Sequence, residues 1–180
     1  MAIEPQADRL KRFTEGPTQE IIETLLNSID NHVNRELERA LANECWDLAI
    51  LGIHAVALTV SGGLYDRPGS EGYKLFLSNF IDSDEEGYDY STIGGLIHNY
   101  RNNLAHQWLA VSGYRFGLDT RVKAGYAKIG DVTYLNPRAY GESYLDSFEG
   151  GGRVWNWETT LEPSDLEAAK SRLLSKFTSK

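Results

Sequence analysis

The sequence predicts a mainly α-helical protein: an antiparallel bundle of four core helices, a small β-hairpin or meander after it, and a closing C-terminal helix. Three observations predict this. Between Pro17 and Gly62 no proline interrupts the chain, and apolar residues recur at three- and four-residue steps. After Ser112 that pattern gives way to aromatic and β-branched residues broken by Gly and Asp. After Pro163 the helical period returns.

The first helix is read from Ile22, Leu26, Ile29, Val33, Leu37 and Leu41, one face of an amphipathic helix, with Pro17 suited to its first turn. Cys45 to Val60 is apolar nearly all round, which predicts a central buried helix with Cys45 as inert packing and His54 as a satisfied core histidine. The turn between the two is placed near Asn43, with Asn31 to Asn34 a competing break. Gly62-Gly63 and Asp66-Arg67-Pro68-Gly69 punctuate the next connection. A shorter helix covers about Ser70 to Phe80, with Tyr73, Phe76, Leu77 and Phe80 on one side. Ser91 is a suitable cap for a fourth helix that runs to about Ala110.

Tyr114 to Leu118 and Tyr126 to Tyr134 read as strands. Residues 136–152, with Pro137, Gly141 and Gly150-Gly151-Gly152, read as a loop. Trp155 and Trp157 are expected to pack the last segment onto the bundle. A helix opening at Pro163-Ser164-Asp165 carries the stripe Leu166, Ala169, Leu173 and Phe177. The whole, 1–180, is read as one domain: a bundle over 18–110, a β-rich and loop insertion over 112–152, and a helix over 163–178.

Composition narrows the class. Apolar residues at 41% and charged residues at 24% are those of an ordinary globular protein. Cys45 is the only cysteine, which excludes an internal disulfide or a cysteine-rich zinc site and points to a reducing cytosol. Met1 to Phe13 is too charged for a signal peptide, and the apolar run Leu48 to Val60 is too short for a bilayer and holds His54. A soluble, cytoplasmic protein with no membrane partner is expected. The net charge of −8 weighs against nucleic acid as a partner. Residues 112–140 depart from that balance, with a net of +3 from Arg115, Arg121, Lys123, Lys128 and Arg138 against Asp119 and Asp131. Arg115, Arg121 and Lys123 are therefore candidate contacts to phosphate.

The run Leu96-Ile97-His98-Asn99-Tyr100-Arg101-Asn102-Asn103-Leu104-Ala105-His106-Gln107-Trp108 carries the chemistry. At about 100° per residue, Ile97, Tyr100, Leu104, Trp108 and Val111 form the stripe that faces the bundle. Gly95, His98, Asn102, His106 and Leu109 form a second, outward stripe, with Arg101 at the boundary between the two.

This segment resembles the Arg-x(4–6)-His signature of the HEPN superfamily of small helical bundles, many of them RNases of toxin–antitoxin and antiviral systems. The resemblance rests on Arg101, Asn102 directly after it, Ala105 just before His106, and the apolar lead-in Leu96-Ile97-x-x-Tyr100. It implies a homodimer in which two such helices meet across one cleft, with Gly95 allowing close approach. It also implies an RNA substrate, a metal-independent reaction without a cofactor, and room for a cognate antitoxin protein.

Residue chemistry fits that implication. Attack of a 2′-OH on the neighbouring phosphate needs a proton acceptor, charge stabilisation on phosphorus, and a proton donor for the departing oxygen. His106 suits the first or last role, Arg101 the second, and Asn102 orients either. His98 is a candidate for substrate contact, or an ordinary surface histidine. A non-catalytic HEPN-like module that binds a protein or nucleotide is the rival expectation.

Other patterns carry less. Asp82 to Asp89 imitates the start of an EF-hand loop, but Ile93 stands where a bidentate Glu is required. No His-x-x-x-His pair, P-loop or Gly-x-Ser-x-Gly elbow is present.

Overall fold

A computed structural model describes residues 14–83, 88–107 and 115–178; the side chains of residues 106, 107 and 176–178 lie outside that description. The described residues form a mainly helical protein with one small three-stranded sheet.

The first helical rod is longer and less regular than its pattern predicts. Helix α1 (Thr18–Ser28) runs without a break through a π-helical turn (Ile29–Asn34) into α2 (Arg35–Ala42). The wider turn inserts one residue into the period. Ile22, Leu26, Ile29 and Leu37 are buried as expected, but Val33 is turned out to 36% exposure and Asn34, at 2%, takes its place inside. Asn34 is satisfied there, accepting 2.8 Å from the Tyr144 hydroxyl and donating 3.2 Å to Asp30. The competing break at Asn31 to Asn34 is thus a bulge within a continuous helix. The true turn follows Asn43, where Glu44 adopts φ +57°.

Helix α3 (Trp46–Leu64) is the hub, touching α2, α4, α5, α6 and α7. At 19 residues it is long and apolar enough to cross a membrane by length and composition, which the shorter run Leu48 to Val60 did not suggest. Ile50, Ile53, Ala57, Val60 and Leu64 are all but inaccessible inside the core, the burial expected of a central helix. Cys45 is a correction: it precedes this helix as an exposed residue instead of packing within it.

Helix α4 (Gly69–Phe76) continues into a second π turn (Leu77–Ile81), burying Tyr73, Phe76, Leu77 and Phe80. Helix α5 (Gly94–Gln107) carries the Arg101 motif. Its entry is fixed by Asp89, whose carboxylate accepts from the Thr92 N–H and from the Ser91 hydroxyl, so Ser91 supports the cap from the preceding turn. Asp82 accepts from the Ser91 N–H. These two acids of the EF-hand-like run serve a turn, residues 84–87 of that run lie outside the described residues, and no metal-binding cluster exists among the described residues.

Strands β1 (Phe116–Leu118), β2 (Tyr126–Ile129) and β3 (Val132–Leu135) form a sheet of order β1-β3-β2. β2 and β3 are the expected hairpin, turning at Gly130 with φ +60°, but β1 lies parallel to β3, so the sheet is not a meander. The expected strand start at Tyr114 lies outside the described residues.

Residues 136–152 are not a loop. Helix α6 (Pro137–Asp146) occupies most of the segment, and Tyr140, Tyr144 and Phe148 join the same core as α1 and α3. Asn136 caps it by accepting from the Arg138 and Ala139 N–H groups, with Pro137 at the first turn. Gly141 sits where the helix meets α2: a Cβ there would lie 2.5 Å from Leu41 Cδ2, so any larger residue would have to displace the Leu41 side chain. The Asn136 amide also donates 2.7 Å to the Val122 carbonyl, tying α6 to the connection between β1 and β2. Asn136→Ala is expected to lower stability by about 1–3 kcal/mol in urea denaturation, because cap and tie are lost together.

A 3₁₀ segment (Arg153–Thr160) buries Trp157, while Trp155 donates 2.7 Å to the Phe148 carbonyl. Helix α7 (Pro163–Thr178) closes the fold with Ala169 and Leu173 buried and Leu166 partly buried. The Phe177 side chain lies outside the described residues. Arg172 on α7 donates to the Gly63 and Leu64 carbonyls, placing a cation on the open C-terminus of α3.

Candidate functional site

The inner stripe of the motif helix is as expected at Ile97 and Leu104, buried at 0% and 5%, but the described outward positions Gly95, His98 and Asn102 are part-buried, and the exposed residues are Asn99 and Ala105. Trp108, Val111 and Leu109 lie outside the described residues, and of His106 only the helical backbone is described. The outward stripe is not free along its whole length. At Gly95 a Cβ would lie 3.6 Å from Lys74 Cε, so this position leans on α4. His98, placed on that outward stripe, is part-buried and turns its Nδ1 toward α3.

There it meets His54. The Nε2 of His54 lies 2.8 Å from Nδ1 of His98, a hydrogen bond between rings 44 residues apart in sequence. His54 is fully enclosed, and the Tyr73 ring stacks on it at a centroid distance of 4.5 Å. The Tyr73 hydroxyl is shared with that of Tyr140 at 2.7 Å, and burial raises the pKa of both phenols. Nδ1 of His54 has no partner among the described residues, which satisfy the core histidine on one nitrogen only.

Arg101 stands beside this pair. Its Nη1 donates 3.0 Å to the Asn102 side-chain oxygen, and its Nε is buried without a partner among the described residues. No ion pair of Arg101 with a carboxylate is found among the described residues. Burial lowers the His54 pKa to about 3, with the Arg101 charge and His98 adding to the effect. Burial and Arg101 also lower that of His98. Both imidazoles are therefore neutral at pH 7, next to an uncompensated guanidinium.

That burial fixes a pH dependence. The folded pKa of His54 lies below the unfolded value of 6.5, so its contribution to stability is intact above pH 6.5. As pH falls toward about 3 the unfolded chain takes up a proton that the folded protein refuses. Stability is expected to drop through this window at up to about 1.4 kcal/mol per pH unit from this group. Urea denaturation of wild type and His54→Gln at pH 7 and pH 4.5 checks it: the variant should lose less on acidification.

The basic residues of 112–140 do not gather at this cluster. β1 meets α5 through Phe116 on Tyr100, with ring centroids 5.2 Å apart, and Tyr100 stands about 160° around the helix from His98. Arg115 and Lys123 are exposed. Arg121 is held by Asp119 in a two-pronged pair at 2.9 and 2.7 Å, which compensates its charge. Arg138 is likewise engaged, 3.3 Å from Glu44 and over the Trp46 ring. The sequence reading did not place His54 in the cluster beside Arg101 and His98; a polar ring in an otherwise apolar helix was the available signal.

No family model, curated protein or solved structure matches the chain.

Proposed function

We propose that the protein is a metal-independent endoribonuclease of a defence or toxin–antitoxin kind, a HEPN-like bundle acting as a cytoplasmic homodimer on RNA. One observation carries the reading: a part-buried guanidinium, oriented by Asn102 and lacking a carboxylate partner among the described residues, beside a neutral imidazole. A cation so held is poised for an anionic oxygen, and phosphate matches its donor fork. In this reading Arg101 stabilises charge on the phosphorus, Asn102 orients Arg101, and His106 carries the proton, leaving a 2′,3′-cyclic phosphate. Arg115, Arg121 and Lys123 are distant contacts to the RNA backbone at most, and a cognate antitoxin covers the cleft when the enzyme is held silent.

The test is a gel assay of purified protein with mixed RNA in EDTA, together with light scattering at micromolar concentration. Cleavage and a dimer are expected. A monomer, or intact RNA under all conditions, sinks the reading.

A second reading, a non-catalytic helical module for a protein or nucleotide partner, is favoured by a different feature. Val33 and Leu48, 36% and 52% exposed, border an open groove of about 520 Å³ between α2 and α3. The net charge of −8 also suits a protein partner better than RNA.

A further inference from the structure

We propose that His98 is a neutral hydrogen-bond donor for a phosphate oxygen, working with Arg101, and that His54 is the positioning residue that fixes its tautomer. The ring-to-ring bond leaves two arrangements. In one, His54 Nε2–H donates to His98 Nδ1, His98 presents Nε2–H, and His54 keeps a bare Nδ1 in the core. In the other, His98 Nδ1–H donates to His54 Nε2, and His54 must bury an Nδ1–H. No acceptor among the described residues meets Nδ1 of His54, and an unmet N–H in the core costs more than an unmet lone pair. The first arrangement wins, and the ring that His98 offers is a donor.

Its surroundings keep it one. The groups facing the pair are Arg101 from the same helix and Tyr73 from α4, whose phenol stays protonated against Tyr140. No carboxylate of the described residues is among them, and burial and Arg101 both oppose protonation of His98. A neutral donor beside a guanidinium binds a tetrahedral oxyanion without adding a second buried charge. No described residue bonds to Nε2 of His98. The conspicuous histidine of the cluster thus holds phosphate and leaves proton transfer to another group. Its role in RNA cleavage rests on the ribonuclease reading; its tautomer and its affinity for phosphate do not.

The experiment is two-bond ¹H–¹⁵N correlation spectroscopy on protein labelled at its 4 histidines, titrated with inorganic phosphate at pH 7. His98 and His54 should both appear as neutral Nε2–H tautomers, with the His98 Nε2–H resonance shifting on phosphate addition. His98→Ala should weaken phosphate binding by about 10-fold. His54→Phe should release His98 into a tautomer mixture, and His54→Gln, which keeps an N–H at the same reach, should restore it. A His98 imidazolium or Nδ1–H tautomer in wild type overturns the proposal, whether or not the variants fold. So does unchanged phosphate affinity in folded His98→Ala. Protein that shows the tautomer and the phosphate shift yet cleaves no RNA removes the ribonuclease reading alone.

Discussion

Arg101→Ala and His106→Ala should each lower RNA cleavage by about 10²-fold or more while the protein stays folded. His106→Ala removes the proton carrier, and Arg101→Ala removes the charge that steadies the phosphorane. Neither change should unfold the bundle. The only polar partner of the Arg101 side chain among the described residues is its neighbour Asn102, and position 106 stands about 160° around α5 from buried Leu104. Thermal melts of the variants within a few degrees of wild type, alongside lost cleavage, are the expected result. EDTA should have no effect, and a 2′-deoxy nucleotide at the cut site should abolish reaction. Activity that needs a divalent ion, or that survives both substitutions, would remove these residues from the chemistry.

Leu104→Ala should cost roughly 2–5 kcal/mol, the second large effect, because it empties a site on the core face of α5 where Leu104 is 5% exposed. Asn102→Ala should cost little by comparison, since its side chain makes one hydrogen bond at the part-buried edge of the helix. Urea denaturation of the two variants side by side separates a packing residue from a site residue two positions away. Equal, small losses would mean that the faces of α5 are wrongly assigned.

The helical character of 18–64, the central place of α3, the hairpin of β2 and β3 and the closing helix were all readable from period and turn chemistry, which act within a few residues. Helix α6 was legible too, through Asn136-Pro137 as cap and first turn and Tyr140, Tyr144 and Phe148 at four-residue steps, but Pro137 and Gly141 read as loop punctuation. At the glycine, Leu41 of α2 approaches closely, a contact 100 residues away in sequence.

At the site, the neighbours on one helix, Arg101 and Asn102, were fixed by spacing alone. That Val33 turns out and Asn34 turns in was decided by a π turn whose extra residue is tolerated because Tyr144 satisfies Asn34. That His98 faces His54 was decided by the packing of α5 on α3. A helical period states which side chains share a face, but not which other face covers them. Hydrogen bonds between rings 44 residues apart exist only once the chain has closed that distance, so the sequence by itself determined the helices and their inner stripes, and tertiary packing alone decided that a buried histidine, a part-buried histidine and a part-buried arginine share one corner.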